Sequence, residues 1–208
     1  MTLVNKNNLL SDISKDNVYL WLYYSILAFC SQVEILLFDH FDQASMLVIY
    51  FFVSRINGIM NIFVNNTSLF LASKISFHTE VSKVKYIINY SIYLSCILLL
   101  LSIIVTGVMV FLPLPKFSNQ QASVSVMFLI LSIGTVFNLR LAPYSSILVA
   151  NNRGYDLFII SLFVSIIFML LKIYLVYELG SYGACISSAG YLIILNYFFK
   201  IKAERYAT

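Results

Sequence analysis

Charge is the scarcest property of this chain of 208 residues: only 11% are charged, against about a quarter in an ordinary soluble domain. With 61% hydrophobic residues, that scarcity excludes a water-facing globule and leaves no room for a sizeable soluble domain. Histidine occurs twice, at His40 and His78, and cysteine three times, at Cys30, Cys96 and Cys185. Neither type forms a C-x-x-C or mixed Cys/His spacing, so no metal centre or disulfide framework is expected. Asp39, His40 and Asp42 are adjacent in the chain but have no fixed ligand geometry, so no metal is assigned there. There is no phosphate loop, no G-x-G-x-x-G fingerprint and no G-x-S-x-G elbow, so neither catalytic residues nor a cofactor are assigned, and no enzyme activity is expected. The thirteen basic residues are dispersed singly, which argues against a nucleic-acid partner despite a net charge of +4. The first seventeen residues lack the apolar region of a cleaved signal peptide, so the first span is expected to act as its own insertion signal.

What the chain has instead is long apolar runs. Six of them, at about 18–38, 44–70, 86–112, 122–150, 155–177 and 182–199, are each of the order of the 20 residues that cross a bilayer. The expected fold class is an all-α integral membrane protein: a six-helix membrane domain over 18–199, an amino-terminal segment 1–17 and a tail 200–208. The breaks carry turn-forming residues: Asp39–Asp42, the polar stretch Ser73–Lys85, Pro113 with Pro115, Asn151–Gly154 and Glu178–Ser181. Cytoplasmic loops retain Lys and Arg. With the amino terminus inside, one side holds Lys6, Lys15, Lys74, Lys83, Lys85, Arg153, Lys200, Lys202 and Arg205, and the other only Lys116. Both termini are therefore expected in the cytoplasm, with the protein multi-pass among membrane lipids.

That distribution leaves Arg55, Arg140, Lys172 and Glu34 within the spans. A charge at the bilayer centre costs about 2.5–3.5 kcal/mol on insertion scales, so each is expected to face a bundle interior or a watery cavity. Arg55 lies near mid-membrane. Ser54, Asn57, Asn61, Asn65 and Ser68 recur at steps of three or four, a polar stripe near Arg55 that fits a solvated cavity or polar glue between helices. Arg140 stands three residues before Pro143, which is expected to free the Leu139 carbonyl and kink the helix. Glu34 and Lys172 fall at similar depth, placed to pair or to snorkel. Gly183, Ser187 and Gly190, with Ala184 and Ser188, read as a small-residue packing surface. The overlapping N-x-[S/T] patterns at Asn65 and Asn66 lie within a span and are not accessible glycan sites.

Three stretches resemble one family. "SQVEILLFDHF" at 31–41 looks like a polar-acidic pair in an apolar helix followed by a short outer loop. "MLVIYFFVSRINGIMNIFVNNTSLFLASKIS" at 46–76 looks like its next helix, with Arg55 and Ile56 at the Arg-Ile position. "NNRGYDLFIISLFVSIIFMLLKIYLVYELGSYGACIS" at 151–187 resembles the closing hairpin. The family is the polysaccharide-export flippases of the multidrug, oligosaccharidyl-lipid and polysaccharide exporter superfamily. Its members have two six-helix lobes around a cavity, and this chain resembles the second. The resemblance implies a bacterial inner-membrane transporter that flips undecaprenyl-diphosphate-linked oligosaccharide for surface polysaccharide or O-antigen assembly. It also implies a partner lobe, since one lobe does not enclose a cavity, and so a fragment, a split-gene product or a lobe that needs a partner. Arg55 and Arg140 become the matching candidates for the diphosphate, because guanidinium binds its oxygens bidentately. The alternatives are a drug or cation exporter of the same superfamily, with Glu34 as the coupling acid, a non-transporting membrane subunit or an inactive remnant. A membrane sugar polymerase is less consistent, for want of a long outer loop.

Overall fold

The computed structural model describes residues 6–41, 44–77, 81–111 and 120–206, and all of its regular structure is helical. Seven α-helices follow one another: α1 (Lys6–Cys30), α2 (Val33–His40), α3 (Ala44–Phe77), α4 (Val81–Phe111), α5 (Gln121–Ala150), α6 (Gly154–Leu179) and α7 (Ser181–Glu204). An apolar solvent offers backbone groups no partners, and a helix satisfies nearly all of them within itself. The six expected runs are present as six helical segments long and apolar enough to cross a membrane, several a few residues longer than hydropathy alone gives. The first of them, Lys15–His40, is not one helix. It joins α1 and α2 across a turn at Ser31–Gln32, a break that the apolar run did not announce. Pro113, Pro115, Lys116, His78 and Asp42 lie outside the described residues.

α5 is the scaffold. It packs on α7, α3 and α4, while α6 lies on α7 and α1 on α6. More than half of its most apolar window is buried, 56%, against 17% for the Lys15–His40 and Ser45–Ile75 spans. Helices already surrounded by apolar solvent gain little from hiding apolar surface, so close packing and hydrogen bonds hold them together. Gly134 shows the first: a Cβ there would come within 2.7 Å of the Ala189 Cα, so α5 and α7 meet backbone to backbone. Gly183 is pressed against the Leu175 backbone in the same way, which bears out packing for that end of the small-residue surface. Gly180, between α6 and α7, has φ 56° and ψ −128°, a conformation essentially reserved for glycine.

Pro143 lies inside α5, and the helix continues through it from Gln121 to Ala150. The Leu139 carbonyl that it deprives of a donor is taken by the Ser91 hydroxyl of α4 at 2.5 Å. The carbonyl that the sequence marked as freed thus becomes an interhelical attachment.

Residue 16, residues 153–156 and residues 202–206 gather at one end of the bundle. The Asp16 carboxylate accepts the Gly154 N–H at 2.6 Å, where a negative charge suits the start of α6. Lys202 pairs with Asp156 at 3.1 Å, and the Arg153 guanidinium lies 4.6 Å from the Tyr206 ring centre.

Candidate functional site

Two polar regions interrupt the apolar interior. The first surrounds the α1–α2 break. Where α1 stops at Cys30, its last carbonyls lose helical partners, and the Lys172 ammonium of α6 donates to the Cys30 carbonyl at 3.3 Å. The same ammonium donates to Glu34 Oε1 at 2.6 Å, and both side chains are almost wholly buried, 6% and 3% exposed. Ser188 of α7 donates to the same Oε1 at 2.6 Å. The Tyr50 side chain of α3 reaches Glu34 and Ser188 as well. Among the described residues, the second carboxylate oxygen, Oε2, has no hydrogen-bond partner. Glu34 and Lys172 therefore pair, and neither snorkels. Ser188 departs from the packing role read for it, because its hydroxyl belongs to this cluster. Beside Lys172 is a void of about 10 Å³ lined in part by Cys30, Ser165 and Tyr191, about the size that holds one water.

The second region runs along α3. Thr135 of α5, fully buried, is its hub: Asn57 donates to the Thr135 hydroxyl at 3.1 Å, and that hydroxyl reaches Asn61 Oδ1 at 3.2 Å. This half of the stripe is interhelical glue, worth about 0.6–1.7 kcal/mol per bond in lipid. The other half opens into a cleft of about 620 Å³ whose walls are α1 and α3 and whose floor is α5 and α7. Asn65 and Ser68 line it from α3, Asn138, Ser145 and Ser146 from α5, and Asn196 from α7, with Tyr23 and Tyr24 facing them from α1. Asn196 donates to Asn138 Oδ1 at 3.1 Å, so two of the amides are joined across the floor. Among the described residues, no charged side chain lines the cleft.

The two arginines do not join these polar groups. Arg55 is exposed, with the Phe51 ring of its own helix 5.9 Å away. Two residues at 3.6 per turn amount to about 200°, so it points away from Asn57. Arg140 is exposed too, and stands about 200° round α5 from Asn138, on the face turned from the cleft. The expected stripe is therefore split: Asn57 and Asn61 bind α5, Asn65 faces the cleft, and Arg55 faces outward. Thr135, Asn138, Asn196, Ser188 and Tyr50 were missed. Isolated Asn residues in otherwise apolar helices were the available signal for Asn138 and Asn196.

These features define an all-helical bundle of membrane-crossing length and composition, with a cleft of mixed polar and apolar lining on one flank and a buried ion pair at a broken helix. No protein-family model, curated protein or solved structure matches the chain.

Proposed function

We propose that the chain is one lobe of a transporter in the bacterial inner membrane, both ends cytoplasmic, that flips lipid-linked oligosaccharide for surface polysaccharide assembly. The observation that carries this reading is the cleft. It is large, its walls α1 and α3 are separate helices, and its amides, hydroxyls and tyrosine rings, set among leucines and alanines, suit a polyhydroxylated cargo carried on a lipid. A lobe with one open polar flank calls for a second wall, which a partner lobe supplies. The sequence resemblance gives the cargo class.

Arg55 supports the same reading. Of the nine acids, all but the paired Glu34 lie outside the spans or within two residues of a span end, whereas Arg55 is ten residues into its own, about 15 Å. A second copy of the chain therefore offers no acid at that depth. The remaining anions are those of a different partner or of the cargo, whose diphosphate matches a guanidinium. Orientation is supported by Lys15, Lys74, Lys85, Arg153, Lys200 and Lys202, which cluster toward one set of helix ends.

The test is complementation of an export-deficient strain. Arg55→Gln should abolish surface polysaccharide while the protein accumulates normally in the membrane, and normal export by that variant would refute the role. A drug or cation exporter is the second reading, favoured by the buried acid Glu34; resistance that collapses in Glu34→Gln would select it.

A further inference from the structure

We propose that Glu34 is a proton-binding site whose occupation releases α1 and α2 from α6 and α7. The cluster is built as a clasp. Lys172 of α6 holds both sides of the α1–α2 break at once, the Cys30 carbonyl before it and Glu34 after it, and Ser188 of α7 adds a third tether. α1 is attached to the rest of the bundle chiefly through α6, and it is also one wall of the cleft. A charge stranded inside the clasp, by driving α1 off α6, therefore moves that wall.

The proton has a place to go. Oε2 of Glu34 is buried and free of hydrogen bonds among the described residues, and the one-water void lies against its partner Lys172 and against Val33, the residue before Glu34. A proton from water adds to Oε2, no other bond breaks, and the net charge of the pair rises from zero to +1. Lys172 is then a buried cation beside a neutral acid, the situation that a low-dielectric interior tolerates least. Separation of α1 and α2 from α6 hydrates it. The other titratable groups around Glu34 are Tyr50 of α3, Cys185 and Tyr191 of α7 and Cys30 of α1. Thiols and phenols ordinarily titrate above about pH 8, so a response to acid is not theirs. Asp39 and His40 are exposed at the far end of α2; replacement of His40 is one control, and the double variant at Glu34 and Lys172, which keeps Asp39, is the other.

The inference does not depend on what the cleft carries, and its test uses the full chain in lipid nanodiscs without cargo or partner. The three cysteines are replaced by serine or alanine, and nitroxides are placed at exposed Leu36 of α2 and Val126 of α5. Electron–electron distances are measured from about pH 8 to about pH 3.5, which spans the ordinary carboxylic-acid range. Acid should raise the ratio of long to short distances by about tenfold, as for a minor state made dominant. His40→Gln should respond in the same way. Glu34→Gln should give long distances at both ends of the range, and Glu34→Gln with Lys172→Met should give short distances throughout. An unchanged distribution in the parent chain, loss of the response in His40→Gln, or an acid response retained in the double variant would overturn the proposal. The double variant carries no buried charge, so the test survives if Glu34→Gln alone does not fold.

Discussion

Removing one member of the Glu34–Lys172 pair should harm the protein far more than removing both. In Glu34→Gln, Lys172 keeps its charge at a site only 5% exposed and loses its countercharge, leaving only neutral acceptors, the Cys30 carbonyl and the new amide oxygen. Leaving a buried charge uncompensated costs about 3–5 kcal/mol. A chain of this size loses about 2–4 °C of Tm per kcal/mol, so the expected fall is about 6–20 °C. Lys172→Met strands the carboxylate instead, with Ser188 still donating to Oε1, and should cost somewhat less. The double variant replaces a desolvated ion pair with neutral groups of similar volume, a change that is often neutral or stabilising. Its Tm should lie within a few degrees of the parent, far above the sum of the single effects. The assay is thermal unfolding of the four purified proteins in one detergent, read by circular dichroism. Additive single effects, or single falls of under about 2 °C, would refute the energetic account of this pair.

Other consequences are as specific. Ser91→Ala leaves the Leu139 carbonyl without its donor and should cost about 1–3 kcal/mol in the same melt. Adding Pro143→Ala restores the backbone donor within α5 and should recover part of that loss. Thr135→Val removes the hub for Asn57 and Asn61 and should cost about 1–2 kcal/mol, and a variant as stable as the parent would show the hub to be idle. Gly180→Ala forces a side chain into the φ 56° turn and should cost about 1–3 kcal/mol. Arg55→Gln, at an exposed position, should leave Tm within about 2 °C while abolishing export, a split that a merely structural arginine would not give.

Hydropathy made the six membrane-length segments legible, because crossing a bilayer imposes a length that no tertiary contact overrides. The Glu34–Lys172 pairing was legible for a similar reason: two opposite charges at matched depth have few other ways to be satisfied. The α1–α2 break was not, since Ser31–Gln32 contains neither glycine nor proline and its freed carbonyl is captured by a lysine 142 residues away. The polar stripe of α3 was legible as a stripe, but a step of three or four does not say which flank meets a neighbour. The 100° advance per residue did separate Arg55 from Asn57, and that arithmetic outweighs their closeness in the chain. The cleft itself needed four helices brought together and was beyond any single segment.

The distance in the chain between Glu34 and Lys172 bears on how the protein is made. The two are 138 residues apart, and at about 5–20 residues per second that is about 7–28 s of synthesis. Throughout that interval the nascent chain holds an acid in its first span with no basic partner from α6, and the scaffold helix α5 appears only as the fourth span. The first span is then anchored late, waiting at the side of the insertion machinery until the fifth arrives. A ribosome stalled after α5 but before Lys172 should hold a chain whose first helix still exchanges freely between that machinery and the bilayer.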